Sequence, residues 1–112
     1  MKINIKPFSV NKAWQGRRYR TAEYRAFADE LTLKLKQMEI PEGDLAIRFI
    51  FGVSNMGADW DNNIKVAQDI IAKYYGFNDS RIIEGSARKV KVKKGEEFID
   101  FTIMQDIENK GE

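Results

Sequence analysis

The amino-acid sequence predicts an α+β fold, with two helices packed on a mostly four-stranded mixed sheet in a single domain over residues 1–112. Three observations predict it. Strand and helix patterns alternate along the chain, and two segments repeat apolar residues every three or four positions. The remaining apolar runs are rich in β-branched and aromatic residues. A chain of 112 residues has enough length for one hydrophobic core and too little for two ordinary domains.

The first twenty residues predict a strand and a basic loop. Ile3 and Ile5 alternate with polar residues, which indicates a strand over Lys2 to Pro7. Ser9 to Arg20 lacks periodicity and is interpreted as a loop with aromatic and basic side chains. No signal peptide or bilayer-spanning apolar run is found, so we expect a cytoplasmic protein that makes no contact with a membrane.

A first helix is predicted to begin at Thr21, a favourable N-cap, and to run to about Glu39. Its apolar face is formed by residues spaced three and four apart: Tyr24, Phe27, Leu31, Leu35 and Met38. Pro41 and Gly43 mark the end of the helix. The run Leu45 to Val53 then predicts a largely buried strand.

A second helix is predicted to begin at Asp61 or Asn62 and to end at Gly76. Its apolar face comprises Ile64, Ala67, Ile70, Ile71 and Tyr74. A turn follows at residues 78–80. The segments Arg81 to Val92 and Glu97 to Met104 are interpreted as two strands joined by a short hairpin connection that contains a glycine.

Composition restricts the chemistry available to this chain. It has no His and no Cys, which excludes a Ser-His-Asp triad, a Cys-His pair and a zinc finger in their usual forms. The net charge is only +2, but residues 1–20 carry six basic and no acidic side chains, and residues 81–94 carry six basic side chains against one Glu. Two basic segments around an Asp-rich middle favour a polyanionic partner, although two solvated basic faces give the same pattern.

The candidate chemistry lies in Asp59, Asp61, Lys65 and Asp79. Asp59 and Asp61 project to the same side of an extended segment, and Lys65 lies one helical turn after Asp61. Asp79 joins them only if the chain folds back after the second helix. Crowded carboxylates repel each other unless a cation intervenes, and Mg²⁺ prefers oxygen ligands. Each residue also has a structural interpretation: Asp61 as an N-cap, Lys65 in ion pairs with Asp61 and Asp69, and Asp79 as a turn residue.

These motifs resemble the signature of the RusA family of Holliday junction resolvases. In this chain the matching residues are Asp-Trp-Asp-Asn-Asn-Ile-Lys at 59–65 and, after the predicted helix, Asn-Asp-Ser-Arg-Ile at 78–82. Many members have two consecutive acids where this chain has Asn78 and Asp79. The opening segment Lys6 to Lys12 and the Lys-rich closing strands resemble the family as well.

The resemblance implies a RusA-like fold and a structure-selective endodeoxyribonuclease that resolves branched DNA in recombination and repair. Asp59, Asp61 and Asp79 would be the catalytic metal ligands for Mg²⁺, with Mn²⁺ as a substitute, and Lys65 the catalytic lysine. Residues expected to contact DNA phosphates are Asn11, Lys12, Arg17, Arg18 and Arg20. The resemblance further implies a homodimer without a small-molecule cofactor, in a bacterial or phage-infected cell.

Three alternatives stay open at this point. The first is a non-catalytic DNA-binding protein that keeps the same fold. The second is a nuclease that uses a Glu/Asp-x-Lys strand, for which the chain offers only Glu108-Asn109-Lys110 in its polar tail. The third is a sugar transferase that holds a nucleotide through Asp-x-Asp, for which the chain is short.

Overall fold

The computed structural model describes residues 1–8, 14–15, 19–56 and 61–107, with the backbone alone at 14–15, 19–20 and 61–63. Two helices and six strands are assigned within these residues. They follow one another as β1 (Lys2–Ile3), β2 (Trp14–Gln15), β3 (Tyr19–Arg20), α1 (Ala22–Lys34), β4 (Leu45–Val53), α2 (Asp61–Tyr75), β5 (Ile82–Lys91) and β6 (Phe98–Gln105). A short 3₁₀ helix over Asp79–Arg81 precedes β5.

The main sheet is mixed and four-stranded, in the order β1-β6-β4-β5, which confirms the predicted fold class. β4 pairs in parallel with β5 and antiparallel with β6, and β6 pairs antiparallel with β1. The predicted hairpin between the last two strands is therefore wrong, because β4 lies between them. Most residues of β4 are buried or half-buried, so its backbone N–H and C=O groups need partners along both edges of the strand. The chain after β5 crosses the end of β4, where the Val92 amide donates to the Val53 carbonyl at 2.9 Å.

Both helices pack on one face of this sheet and form the core with it. β4 alternates by strand periodicity, so Ile47, Phe49 and Phe51 are buried on the helix side while Arg48 is exposed on the other face. The core cluster also contains Phe27 and Leu31 of α1, Val66, Ala67, Ile70 and Ile71 of α2, and Ile99 and Phe101 of β6. The face that carries Arg48 has no helix against it among the described residues, and we call it the open face.

α1 begins as predicted and ends earlier. Thr21 is the N-cap, and its side chain accepts the Tyr24 amide at 3.0 Å. The helix stops at Lys34, because Leu35 has extended backbone angles. Leu35 is nonetheless buried, so the apolar spacing continues into a segment that is not helical. Tyrosines 74 and 75 of α2 donate to the carbonyls of residues 35 and 36, which gives these carbonyls partners outside a helix.

α2 matches its prediction at both ends. It begins at Asp61, and Gly76 follows it with φ +75°. The amide of Phe77 donates to the Ala72 carbonyl and the amide of Gly76 to the Lys73 carbonyl, which is the Schellman arrangement of a helix C-terminus. Within the described residues no helix is long and apolar enough to cross a membrane.

Two smaller predictions are corrected by the structure. The strand expected over residues 2–7 is only two residues long, although Ile3 and Ile5 are both buried as the alternation implied. The segment interpreted as a loop up to Arg20 contains the antiparallel ribbon of β2 and β3. Strands of two residues are too short to show a period in the sequence.

Candidate functional site

The parallel β4-α2-β5 unit has two ends, and the candidate residues are divided between them. At one end β4 finishes at Val53, α2 begins at Asp61 and β5 finishes at Lys91. We call this the motif end. At the other end, the far end, Leu45 begins β4 beside Ile82 at the start of β5. In parallel units of this kind, ligands bind where strands finish and helix N-termini point, which is the motif end here.

Asp61 and Lys65 both lie at the motif end. Asp61 is the first residue of α2, and Lys65 follows one helical turn later. The Lys65 side chain is 71% exposed, and its Nζ lies 3.8 Å from Asp69 Oδ2. This pair is the structural interpretation left open by the sequence, and an exposed i,i+4 pair contributes little, typically about 0.3–0.5 kcal/mol. Lys65 is therefore held only weakly and can reorient toward a ligand at the motif end.

Asp79 lies at the far end. It follows the C-terminus of α2 in the 3₁₀ helix and is exposed. Its neighbour Arg81 donates to the carbonyls of Pro41 and Gly43, which tie the 3₁₀ helix to the segment before β4. A helix of 15 residues is about 22 Å long, so α2 separates Asp61 from Asp79. Each ligand must approach Mg²⁺ to about 2.1 Å. The structure therefore does not bring Asp61 and Asp79 to one ion within a single chain.

Other members of the predicted site fall outside the described residues. They are Asp59 among the metal ligands and Asn11, Lys12, Arg17 and Arg18 among the DNA contacts. Arg20 has a described backbone, in β3 opposite Trp14. Across the described ranges, which leave out Asp59, no group of three or more acidic side chains is close enough to hold a metal ion.

The structure adds an acidic side chain at the motif end that sequence reasoning missed. Glu97 accepts the Ser54 hydroxyl on Oε2 and the Gly95 amide on Oε1, both at 2.9 Å. Its own backbone N–H and the Ser54 hydroxyl lower the pKa of Glu97, with smaller contributions from Gly95 and the charge of Lys6, against a partial desolvation that raises it. Ser54 directly follows β4, so this carboxylate fixes the start of the connection that leads to Asp59 and Asp61.

A second contact holds the same connection. Lys89 of β5 donates through Nζ to the Met56 carbonyl. The basic segment of β5 and its continuation, predicted from composition, thus borders the motif end, where Lys91, Lys93 and Lys94 are exposed. Acidic and basic residues are both located at this end: α2 begins with Asp61, the Glu97 carboxylate holds Ser54 of the preceding connection, and exposed lysines lie at the end of β5 and just after it. Carboxylates are the ligands that Mg²⁺ prefers, and lysines are suitable contacts for phosphate.

Neither a family model nor a curated protein matches this chain.

Proposed function

We propose that this protein is a metal-dependent, structure-selective endodeoxyribonuclease that cuts four-way junctions or other branched DNA. The observation that carries the proposal is that α2 begins, with Asp61 and Lys65 in its first turns, at the same end of a parallel β-α-β unit at which the basic strand β5 finishes. Carboxylates are suitable Mg²⁺ ligands, and lysines are suitable contacts for phosphate. With no His or Cys in the chain, carboxylates are the available metal ligands.

The separation of Asp61 and Asp79 requires that the proposed site be built from two chains. A homodimer with two-fold symmetry would bring Asp79 of one copy to the motif end of the other, and the reverse contact would complete a second site. Two symmetry-related sites match the two-fold symmetry of a four-way junction, which needs two nicks. A bound Mg²⁺ would activate water and neutralise charge on the phosphate. Lys65, exposed at the same end, would contact the phosphate oxygens.

The alternative is a DNA-binding protein with the same fold and no catalysis. The distance between the ends of α2 favours this alternative if the chain is a monomer, because Asp79 then cannot contribute to a shared ion. The basic segments would still bind DNA through phosphates, with a strong dependence on salt.

The decisive experiment tests both the reaction and the two-chain site. The protein is incubated with a synthetic four-way junction and Mg²⁺ or Mn²⁺, alongside Asp61→Asn and Asp79→Asn. The two variants are also co-expressed with different tags and purified through both, so that only the mixed dimer is recovered. We expect junction cleavage by the unmodified protein, none by either variant alone, and single nicks by the mixed dimer, because one of its two sites has both carboxylates intact.

Each outcome has one meaning. Junction binding without cleavage by the unmodified protein selects the non-catalytic alternative. If the unmodified protein neither binds nor cleaves the junction, the nucleic-acid function is overturned altogether. Cleavage by the unmodified protein with an inactive mixed dimer keeps the nuclease and rejects the two-chain site.

A further inference from the structure

Among the residues that the structure describes, one edge of the ten-residue strand β5 has no partner strand. In the described part of the chain it pairs only with β4, and its residues from Ile83 to Ser86 are exposed. Successive residues of a strand turn their backbone N–H and C=O groups to opposite edges. The amide of Val92 points to β4, so even-numbered residues of this regular register face β4. Gly85 and Ala87, which are odd-numbered, therefore present their backbone groups at the free edge.

The side chains along this edge are self-complementary under two-fold symmetry. Three residues of β5, at steps of two, lie on the open face: Glu84, Ser86 and Arg88. The central one, Ser86, pairs with Arg48 of β4, which marks that face. All three are exposed, and neither charged residue forms an ion pair within the described residues. An antiparallel partner centred on Ser86 would place Glu84 opposite Arg88 of the second copy, and Arg88 opposite its Glu84. Cross-strand pairs of opposite charge stabilise a sheet, and like pairs destabilise it.

We propose that β5 pairs with β5 of a second copy, antiparallel and with the two-fold axis at Ser86. In this register Gly85 and Ala87 form hydrogen-bonded pairs with Ala87 and Gly85 of the second copy, and each pair exchanges both N–H···O bonds. Ser86 faces Ser86 in a non-hydrogen-bonded pair. The two four-stranded sheets become one continuous sheet, and the exposed edge, otherwise a site for unspecific aggregation, is covered.

The same register places the start of β5 in one copy beside the end of β5 in the other. Asp79, which precedes β5 at the far end, then approaches the motif end of the second copy near its Lys93. This consequence rests on the proposed function, whereas the strand pairing itself rests on the free edge and its charges alone. The interface is therefore tested by measurements that involve neither DNA nor metal.

The first test is a disulfide across the axis, in a chain that has no cysteine of its own. Cα atoms of a non-hydrogen-bonded antiparallel pair lie about 4.5 Å apart, within disulfide range. Ser86→Cys, treated with oxidised glutathione, should form a covalent dimer on non-reducing gels at micromolar protein. The matched control is Glu84→Cys, also exposed on the open face of β5, whose two copies would lie about 13 Å apart along the strands. A covalent dimer of Glu84→Cys as abundant as that of Ser86→Cys would overturn the register.

The second test is a charge exchange read by sedimentation equilibrium in low salt. Glu84→Arg and Arg88→Glu should each weaken dimerisation by about tenfold or more, because each copy loses an attractive pair and gains a repulsive one. The double variant Glu84→Arg/Arg88→Glu should recover the original dimerisation constant. Thr102→Arg, an exposed open-face position on β6, serves as the control and should leave it unchanged. A monomer at all concentrations, or no recovery in the double variant, overturns the proposal.

Discussion

Glu97 and Ser54, which are 43 residues apart, are joined by a 2.9 Å hydrogen bond from the serine hydroxyl to Glu97 Oε2. The bond connects the segment after β5 to the first residue after β4. Because the β4-α2 connection leads to Asp61, the position of the candidate site depends on this contact.

Glu97→Ala should therefore raise the Mg²⁺ concentration needed for half-maximal stabilisation by severalfold, while the fold persists. The bond to Ser54 and the bond to the Gly95 amide are both lost in this variant, so the connection that leads to the site becomes less ordered. The measurement is the melting temperature as a function of Mg²⁺. Glu96→Ala is the matched control, since Glu96 is an exposed neighbour in the same turn. An equal effect of the two substitutions would mean that only the local charge matters.

The same group predicts a pH dependence. The pKa of Glu97 is lowered, by its own backbone N–H first and by the Ser54 hydroxyl next, so the fold favours the ionised form. A carboxyl group with a lowered folded-state pKa contributes stability above its ordinary value of 4.5, and that contribution is lost as the pH falls through the lowered value. Urea unfolding should thus show a difference between the unmodified protein and Glu97→Gln at pH 7 that shrinks below pH 4.5.

Mg²⁺ should raise the melting temperature of the unmodified protein, because a ligand that binds only the folded state stabilises it by mass action. Asp59→Asn should raise the metal-free melting temperature, since it relieves carboxylate repulsion, and should abolish the Mg²⁺ increment. Asp79→Asn should abolish the increment as well if two chains build the site. Asp29→Asn, in α1 and outside the motif, is the control. An unchanged Mg²⁺ response in Asp59→Asn would place the metal elsewhere.

Local signals in the sequence were sufficient for most elements and insufficient for their connection. β4 and α2 were predicted with correct bounds, because a nine-residue run rich in Ile, Phe and Val and a 3.6-residue apolar period are strong patterns. The turn around Gly95 is real, with φ +95°, but a turn of that kind serves equally for a hairpin and for a chain that crosses the end of a third strand. Nothing local shows that β4 lies between β5 and β6.

The same limit applies to the candidate site. Helix spacing placed Lys65 one turn from Asp61, and the structure has both in the first turns of α2. No spacing rule could place Asp79, because its position depends on the length and direction of α2. Glu97 gave no signal at all, since its role depends on the crossing of β4 that the sequence did not predict.

Gly52→Ala should destabilise the fold by about 1–3 kcal/mol, the usual cost of overpacking. A Cβ at Gly52 would lie 2.3 Å from Cε2 of the Phe98 ring, so the ring must move. The movement would also disturb the contact of the ring with Lys2 Nζ, which lies 4.3 Å from the ring centroid. Gly85→Ala is the matched control, because the nearest atom to its Cβ would be Ile47 Cγ2 at 3.7 Å, an ordinary contact. Urea unfolding should show a large loss for the first and little change for the second. Gly52→Ala in a Phe98→Ala background should cost less, since the clash is then removed.

Tyr75→Phe tests the contact between α2 and the segment that follows α1. The Tyr75 hydroxyl donates to the Lys36 carbonyl, so its removal should cost about 0.5–1.5 kcal/mol of unfolding free energy, the usual net value of one hydrogen bond. Tyr74→Phe, which removes a longer bond of 3.4 Å to the Leu35 carbonyl, is the control and should cost less.

The same tyrosine predicts an alkaline pH dependence. Burial, and then the neighbouring Tyr74, raise the pKa of Tyr75 above 10.0. The contribution of neutral Tyr75 to the stability of the fold is therefore complete below pH 10.0 and is lost as the pH rises through the raised value. Denaturant unfolding between pH 8 and 11 should therefore show an alkaline loss of stability that is smaller in Tyr75→Phe. An identical alkaline loss in both proteins would assign it to other tyrosines or lysines.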